Sequence, residues 1–155
     1  MSKNTVVQIW TDGACKGNPG PGGWGAYMRY KDSELADRRH ELFGGELETT
    51  NNRMEMMAVI KALEFFKEPW TIELYVDSQY VKKGVTEWMP GWIKKDWKNS
   101  ANKPVKNKDL WLQLLEQSKR HTIDWFWVKG HSGDAGNERA DDLANKGVEQ
   151  VLAGK

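Results

Sequence analysis

The segment Asn52-Arg-Met-Glu-Met-Met-Ala-Val-Ile-Lys-Ala-Leu-Glu-Phe-Phe-Lys-Glu68 runs straight into Pro69-Trp-Thr-Ile-Glu-Leu-Tyr-Val-Asp77. The first half has helical periodicity and good helix formers, and Pro69 stops it. The second half, Thr71 to Val76, is a short apolar strand ending at Asp77. A helix feeding directly into such a strand is the building block of an α/β sheet, in which helix-linked strands run parallel.

The same helix carries an anomaly. At about 100° per residue, Glu55 lies within roughly 40° of Val59, Ala62 and Phe66, on the core-facing stripe. Arg53, Lys61, Glu64, Lys67 and Glu68 fall roughly 120–240° away, on the solvated face. A lone buried carboxylate costs several kcal/mol unless something neutralises it. Two readings stand: a capping box Asn52-x-x-Glu55, or a metal ligand.

Outward from this segment, Thr5–Thr11 alternates as a strand ending at Asp12-Gly13, and Gly17–Gly25 is rich in turn formers. Strands are expected around Ala26–Tyr30 and Arg39–Phe43, forming an antiparallel meander with the first. Beyond Asp77, helices are expected at Ser78–Val85 and Asp109–Arg120, a fifth strand at Thr122–Val128, and a last helix at Asn137–Leu152, with Gly147 its weak point. The plan is a five-stranded mixed sheet, antiparallel meander plus parallel strands, flanked by helices. If the first and fourth strands are parallel neighbours, Asp12 and Asp77 emerge together where open sheets bind ligands.

The chain has 155 residues, 39% of them hydrophobic and 29% charged, which suits one folded domain over 1–155. The start, Met1 to Asn4, lacks a basic region followed by an apolar core, and no apolar run approaches membrane-spanning length. With Cys15 the single cysteine, no intrachain disulfide can form. A cytoplasmic, monomeric protein is the expectation. Residues 82–108 hold eight lysines against Glu87 and Asp96, a local excess of six positive charges within a net charge of +1. So concentrated a basic segment fits a polyanion binder with a localised footprint.

Taken singly, Asp12 and Asp77 read as turn or cap residues, and Asp141 as a solvated acid on the last helix. Together, four acids converging on one sheet edge would repel unless cations lay between them. All-oxygen donors suit Mg²⁺ or Mn²⁺ rather than zinc.

Six segments carry a resemblance: Thr11-Asp-Gly-Ala-Cys15, Gly17-Asn-Pro-Gly-Pro-Gly-Gly23, Thr49-Thr-Asn-Asn-Arg-Met-Glu55, Tyr75-Val-Asp-Ser-Gln-Tyr80, Lys103-Pro-Val-Lys-Asn107, and Val128-Lys-Gly-His-Ser-Gly133 with Asn137-Glu-Arg-Ala-Asp141. In this order they resemble bacterial ribonuclease H type 1, a family with the ribonuclease H-like fold. The resemblance implies metal-dependent hydrolysis of the RNA strand of RNA–DNA hybrids, leaving 5′-phosphate and 3′-hydroxyl ends. It implies two ions held by Asp12, Glu55, Asp77 and Asp141, with His131 as a proton shuttle or aid to product release. Without it, His131 is an ordinary residue of a Gly-His-Ser-Gly loop.

For the substrate, the resemblance assigns hybrid recognition to Cys15, Asn18, Asn51, Asn52 and Gln79. Thr50 and Asn107 match a pocket for a DNA-strand phosphate, although Glu48 stands where some relatives carry an arginine. The basic segment looks like a protrusion holding the DNA strand through Lys94, Lys95 and Lys98, with Trp88 against a deoxyribose. Trp92 and Trp97, at near-helical spacing, are read as packing residues. The letters Gly20-x-Gly22-x-x-Gly25 match a dinucleotide fingerprint, but a strand follows where a helix should begin. Two rivals remain: a module that binds hybrid without cutting it, and another phosphoryl-transfer enzyme on the same scaffold.

Overall fold

The computed structural model describes residues 6–31, 38–128 and 135–154. Five strands form one sheet: β1 (Val6–Cys15), β2 (Gly20–Tyr30), β3 (Arg39–Thr49), β4 (Thr71–Val76) and β5 (Thr122–Trp127), in the order β3-β2-β1-β4-β5. β1–β2 and β2–β3 are antiparallel, whereas β1–β4 and β4–β5 are parallel. The helices are α1 (Asn51–Glu64), α2 (Gln79–Lys83), α3 (Met89–Lys94), α4 (Lys108–Arg120) and α5 (Ala135–Ala153). A π-helical turn, Gly84–Trp88, joins α2 to α3. The expected mixed sheet is present, with β1 and β4 as parallel neighbours. Among the described residues, no helix is long and apolar enough to cross a membrane.

Alternation along the strands sorts the two faces. Val7, Ile9, Ala26, Met28, Ile72 and Leu74 are fully buried in the core shared with α1 and α4. α1 brings Met56, Val59, Ile60 and Leu63 to it, each large side chain contributing about 1.5–3 kcal/mol on burial. Thr50, not Asn52, caps α1: its hydroxyl accepts from Arg53 N–H at 3.2 Å. The helix also stops at Glu64, four residues short of the expected end. Carbonyls in its last turn and just beyond its end are taken by residues distant in sequence. His121 Nε2 meets the Leu63 carbonyl at 3.1 Å, and an Arg120 guanidinium N–H reaches the Phe66 carbonyl at 2.7 Å.

His121 accepts from Trp70 N–H at Nδ1 (3.0 Å), so the ring must be the neutral Nε2–H tautomer. Burial holds its pKa below the ordinary 6.5. Above pH 6.5 both folded and unfolded chains carry it neutral. Below that, the unfolded chain binds a proton that the folded chain refuses, so stability falls with pH. His121→Ala is expected to cost roughly 2–4 kcal/mol, for two buried backbone groups left unpaired, and to flatten that fall. Urea unfolding between about pH 7 and 5.5 checks it; an unchanged slope in the variant would assign the acid sensitivity elsewhere.

The glycine-rich stretch departs most from expectation. Gly20–Gly25 is not a turn but the first half of β2, and β3 extends through Gly44-Gly45 to Thr49 to pair with it. The reason is α5, which lies directly on this part of the sheet. A Cβ on Gly25 would sit 2.6 Å from the Ala140 carbonyl oxygen, and one on Gly23 would sit 2.2 Å from that of Ala144. Gly147 does the same from the helix side, 2.0 Å from the Gly44 oxygen. It is a contact point within a continuous helix, not a weak point.

Candidate metal centre and nucleic-acid interface

β1 does not end at Asp12; it runs on to Cys15 against β2, while its pairing with β4 stops at Trp10–Tyr75. Beyond that point the strands part, and Asp12 on β1 faces Asp77 just after β4. Glu55, the fifth residue of α1, reaches the same opening. One oxygen from each of these three acids lies within 4.8 Å of the other two. Asp12 and Glu55 are buried and Asp77 half-buried.

Gly13 makes this approach possible. A Cβ there would stand 2.5 Å from the Glu55 backbone nitrogen, so only glycine lets α1 close on β1 at this level. Its N–H also donates to the Glu55 carboxylate. That single donor is outweighed. Burial, first, and then the charges of Asp12 and Asp77 push the Glu55 pKa well above the usual carboxylate range, and Glu55 shares a hydrogen bond with Asp12. With Thr50 as cap and Glu55 past the capping position, the capping-box reading falls. The donor set therefore fits a small hard cation: three crowded carboxylates, all oxygen, whose mutual repulsion a divalent ion would offset.

Asp141 is not in the three-acid group. It lies half-buried on α5, its carbonyl accepting from Asn145 Nδ2 at 3.0 Å. Its neighbour Ala140 touches Gly25, the residue paired with Asp12 across β1–β2. His131 lies outside the described residues.

The remaining residues gather around the starts of α1 and α2. Asn18 Oδ1 accepts from Asn51 N–H at 3.1 Å, tying the turn before β2 to α1. Asn51 and Asn52 are the first two residues of α1, and Gln79 the exposed first residue of α2. Cys15 is half-buried, its Sγ 3.5 Å from the carbonyls of Gly20 and Thr49, and burial pushes the thiol up. It is a packed thiol rather than a reactive one.

Beside Thr50, Arg53 Nη1 donates to Asn107 Oδ1 at 3.1 Å, and Asn107 Nδ2 donates to the Tyr80 hydroxyl at 2.9 Å. Asp109 grips the same guanidinium with bonds of 3.1 and 2.8 Å. Sequence reasoning missed Arg53, looking instead for a cation two residues before Thr50, where exposed Glu48 stands. The signal was present: Arg53 is one helical turn beyond Thr50 and shares its face. Next to this cluster, Tyr80, Trp88, Trp92 and Lys106 line a cavity of about 310 Å³. Trp92 packs against Trp88, Trp97 and Trp111 at 5.8, 6.0 and 5.4 Å between ring centres. It thus serves packing and cavity together. Lys94, Lys95 and Lys98 are exposed.

A family model for RNase H matches residues 4–149. The chain belongs to the ribonuclease H family. It is 62% identical over 151 residues to a ribonuclease H of Acidovorax sp. (strain JS42), covering 96% of this chain and 98% of that one. A ribonuclease H of Chromobacterium violaceum is 59% identical over 152 residues, 97% of this chain and all of its own. Among solved structures, LC9-RNase H1, a type 1 RNase H with the type 2 active-site motif, superposes with a TM-score of 0.83 at 31% identity. That match covers 94% of this chain and 72% of the other. LC11-RNase H1, solved with an RNA/DNA hybrid, shares the fold at 24% identity and a TM-score of 0.69, over 94% of this chain and 99% of its own. The chain and its sheet order are thus placed in a family of nucleases.

Proposed function

We propose that the chain is an endoribonuclease that hydrolyses the RNA strand of RNA–DNA hybrids by in-line attack, leaving 5′-phosphate and 3′-hydroxyl ends. The observation that carries this reading is the convergence of Asp12, Glu55 and Asp77 within 4.8 Å, where burial and the two neighbouring acids raise the Glu55 pKa. Asp12, Glu55, Asp77 and, from α5, Asp141 are the residues to hold two Mg²⁺ ions, with Mn²⁺ as an alternative. When bound, such ions supply activation of water and neutralisation of charge at the leaving oxygen. His131, by the family resemblance, is proposed for the proton-transfer role.

The other residues position the duplex. Asn18, Asn51, Asn52 and Gln79 offer short amides able to reach 2′-hydroxyls across a minor groove, joined by Cys15, half-buried against the Gly20 and Thr49 carbonyls. Thr50, Arg53 and Asn107 form a cradle for a DNA-strand phosphate, in which Arg53, itself paired with Asp109, fixes the Asn107 amide. Trp88, lining the aromatic cavity, offers a face for a deoxyribose.

A labelled RNA–DNA hybrid, the matching duplex RNA and the matching duplex DNA, each with Mg²⁺ or EDTA, test the reading. Only the hybrid is expected to be cut, in its RNA strand, and only with metal. Cutting of duplex DNA or activity in EDTA would refute it. Replacing Lys94, Lys95, Lys98 and Lys103 together by Ala is expected to raise KM more than it lowers kcat. The log–log salt slope should become shallower by roughly 2–3. An unaltered slope would remove these lysines from the interface.

A further inference from the structure

The face of the sheet turned away from α1 carries a second cavity, of about 390 Å³, beside the first turn of α5. Register explains its lining. Trp10 pairs with Tyr27 and Gln8 with Arg29 across β1–β2, while Tyr27 pairs with Glu41 and Arg29 with Arg39 across β2–β3. These alternate residues therefore point to one side, where α5 covers Gly23 and Gly25 but leaves the neighbouring positions open. Arg139 closes the cavity from the helix.

Three arginines and one acid line this space. Arg139 is neutralised by Glu41, through its Nε to Oε2 and its Nη2 to Oε1 at 2.7 Å. Arg29 is held differently, by neutral groups: Nη2 donates to Gln8 Oε1 at 3.0 Å, and its guanidinium carbon lies 5.5 Å from the Trp10 ring centre. Gln8 is fixed in turn by Glu73 and the Tyr75 hydroxyl, each at 3.2 Å. Among the described residues, no carboxylate pairs with Arg29 or Arg39. Two positive charges thus remain among the described residues, one of them locked in place before any ligand arrives. Such preorganisation suits a phosphate dianion, which takes paired guanidinium N–H donors.

The volume exceeds what a bare phosphate fills and falls within the range of small-molecule sites. Tyr27 supplies an aromatic wall, and guanidinium planes stack on bases. We propose that this cavity binds a nucleoside 5′-phosphate, its phosphate between Arg29 and Arg39 and its base against Tyr27. The ligand is a free mononucleotide or the 5′-phosphorylated end of a strand. Asp12, Glu55, Asp77 and Asp141 are not among its lining residues, and the proposal does not rest on the nuclease reading.

The test is an NMR titration of the ¹⁵N-labelled full chain in EDTA, following the Trp10 indole N–H and arginine Nε–H signals. Uridine 5′-monophosphate is expected to shift and saturate them, with inorganic phosphate and uridine each at least about tenfold weaker. Exposed Arg39→Gln, and separately Arg29→Gln, should each weaken the nucleotide at least about tenfold, while Arg39→Gln leaves hybrid hydrolysis unchanged. A 5′-phosphorylated tetranucleotide binding as well as the mononucleotide, against a 5′-hydroxyl control that does not, assigns a strand end. Binding of the mononucleotide alone assigns a free nucleotide. The proposal is overturned by no shift up to about 10 mM, by equal binding of inorganic phosphate, or by full affinity in Arg39→Gln.

Discussion

Asp12→Asn is expected to lower hybrid hydrolysis by roughly 10³-fold or more, the scale of losing a principal electrostatic group in an active site. In the same variant the metal-free protein becomes more stable. Glu55 is buried against Asp12 and Asp77, and its pKa is raised well above the ordinary 4.5. For a raised carboxyl the sign is fixed: its contribution to stability is whole below pH 4.5 and drains away as pH climbs toward the folded value. At neutral pH the metal-free protein therefore carries the strain of crowded acids. An amide at position 12 removes one charge and can donate a hydrogen bond to the Glu55 carboxylate. The melting temperature in EDTA should rise by about 2–4 °C, the shift that roughly 1 kcal/mol produces at this chain length. Mg²⁺ should stabilise the wild type and leave the variant nearly unmoved. Thermal unfolding with and without Mg²⁺ at pH 5 and pH 7.5 measures both. A variant that melts lower in EDTA would make Asp12 a structural residue and dissolve the metal centre.

What the sequence disclosed and what it hid divide along a physical line. Local periodicity exposed Glu55, because an acid on an apolar stripe conflicts with its own helix. The apolar run before Asp77 exposed the parallel pair, and with it the meeting of Asp12 and Asp77. Features set by distant partners were hidden. Nothing near Glu64 announces the end of α1, because the groups that take up the carbonyls there belong to Arg120 and His121. Likewise, Gly20–Gly25 has the composition of a turn, and only contact with α5 explains it as a strand. Arg53 was obscured by its company on a solvated helix face; its role emerges once α4 brings Asn107 and Asp109 beside it.

Those same glycines carry the second large effect. Gly25→Ala adds one methyl group where the nearest atoms are the Ala140 carbonyl oxygen, the Ala144 nitrogen and the Leu143 Cβ, all at 2.6 Å. Two of the three are helix backbone, which no rotamer change can move aside, so α5 itself must lift from the sheet. The cost should reach roughly 3 kcal/mol, the upper end for overpacking, lowering the melting temperature by roughly 10 °C. Gly91→Ala is the control. It lies in α3 with nothing within 4 Å of an added Cβ, and should gain about 0.5–1 kcal/mol from helix propensity. Because Asp141 follows Ala140 on α5, the displaced helix would move the proposed fourth ligand relative to β1. At a temperature where Gly25→Ala is fully folded, kcat should still fall by roughly 10²-fold, the cost of about 1 Å of misplacement. Were that variant destabilised yet fully active, Asp141 would need no fixed position relative to β1, and the site would consist of Asp12, Glu55 and Asp77 alone.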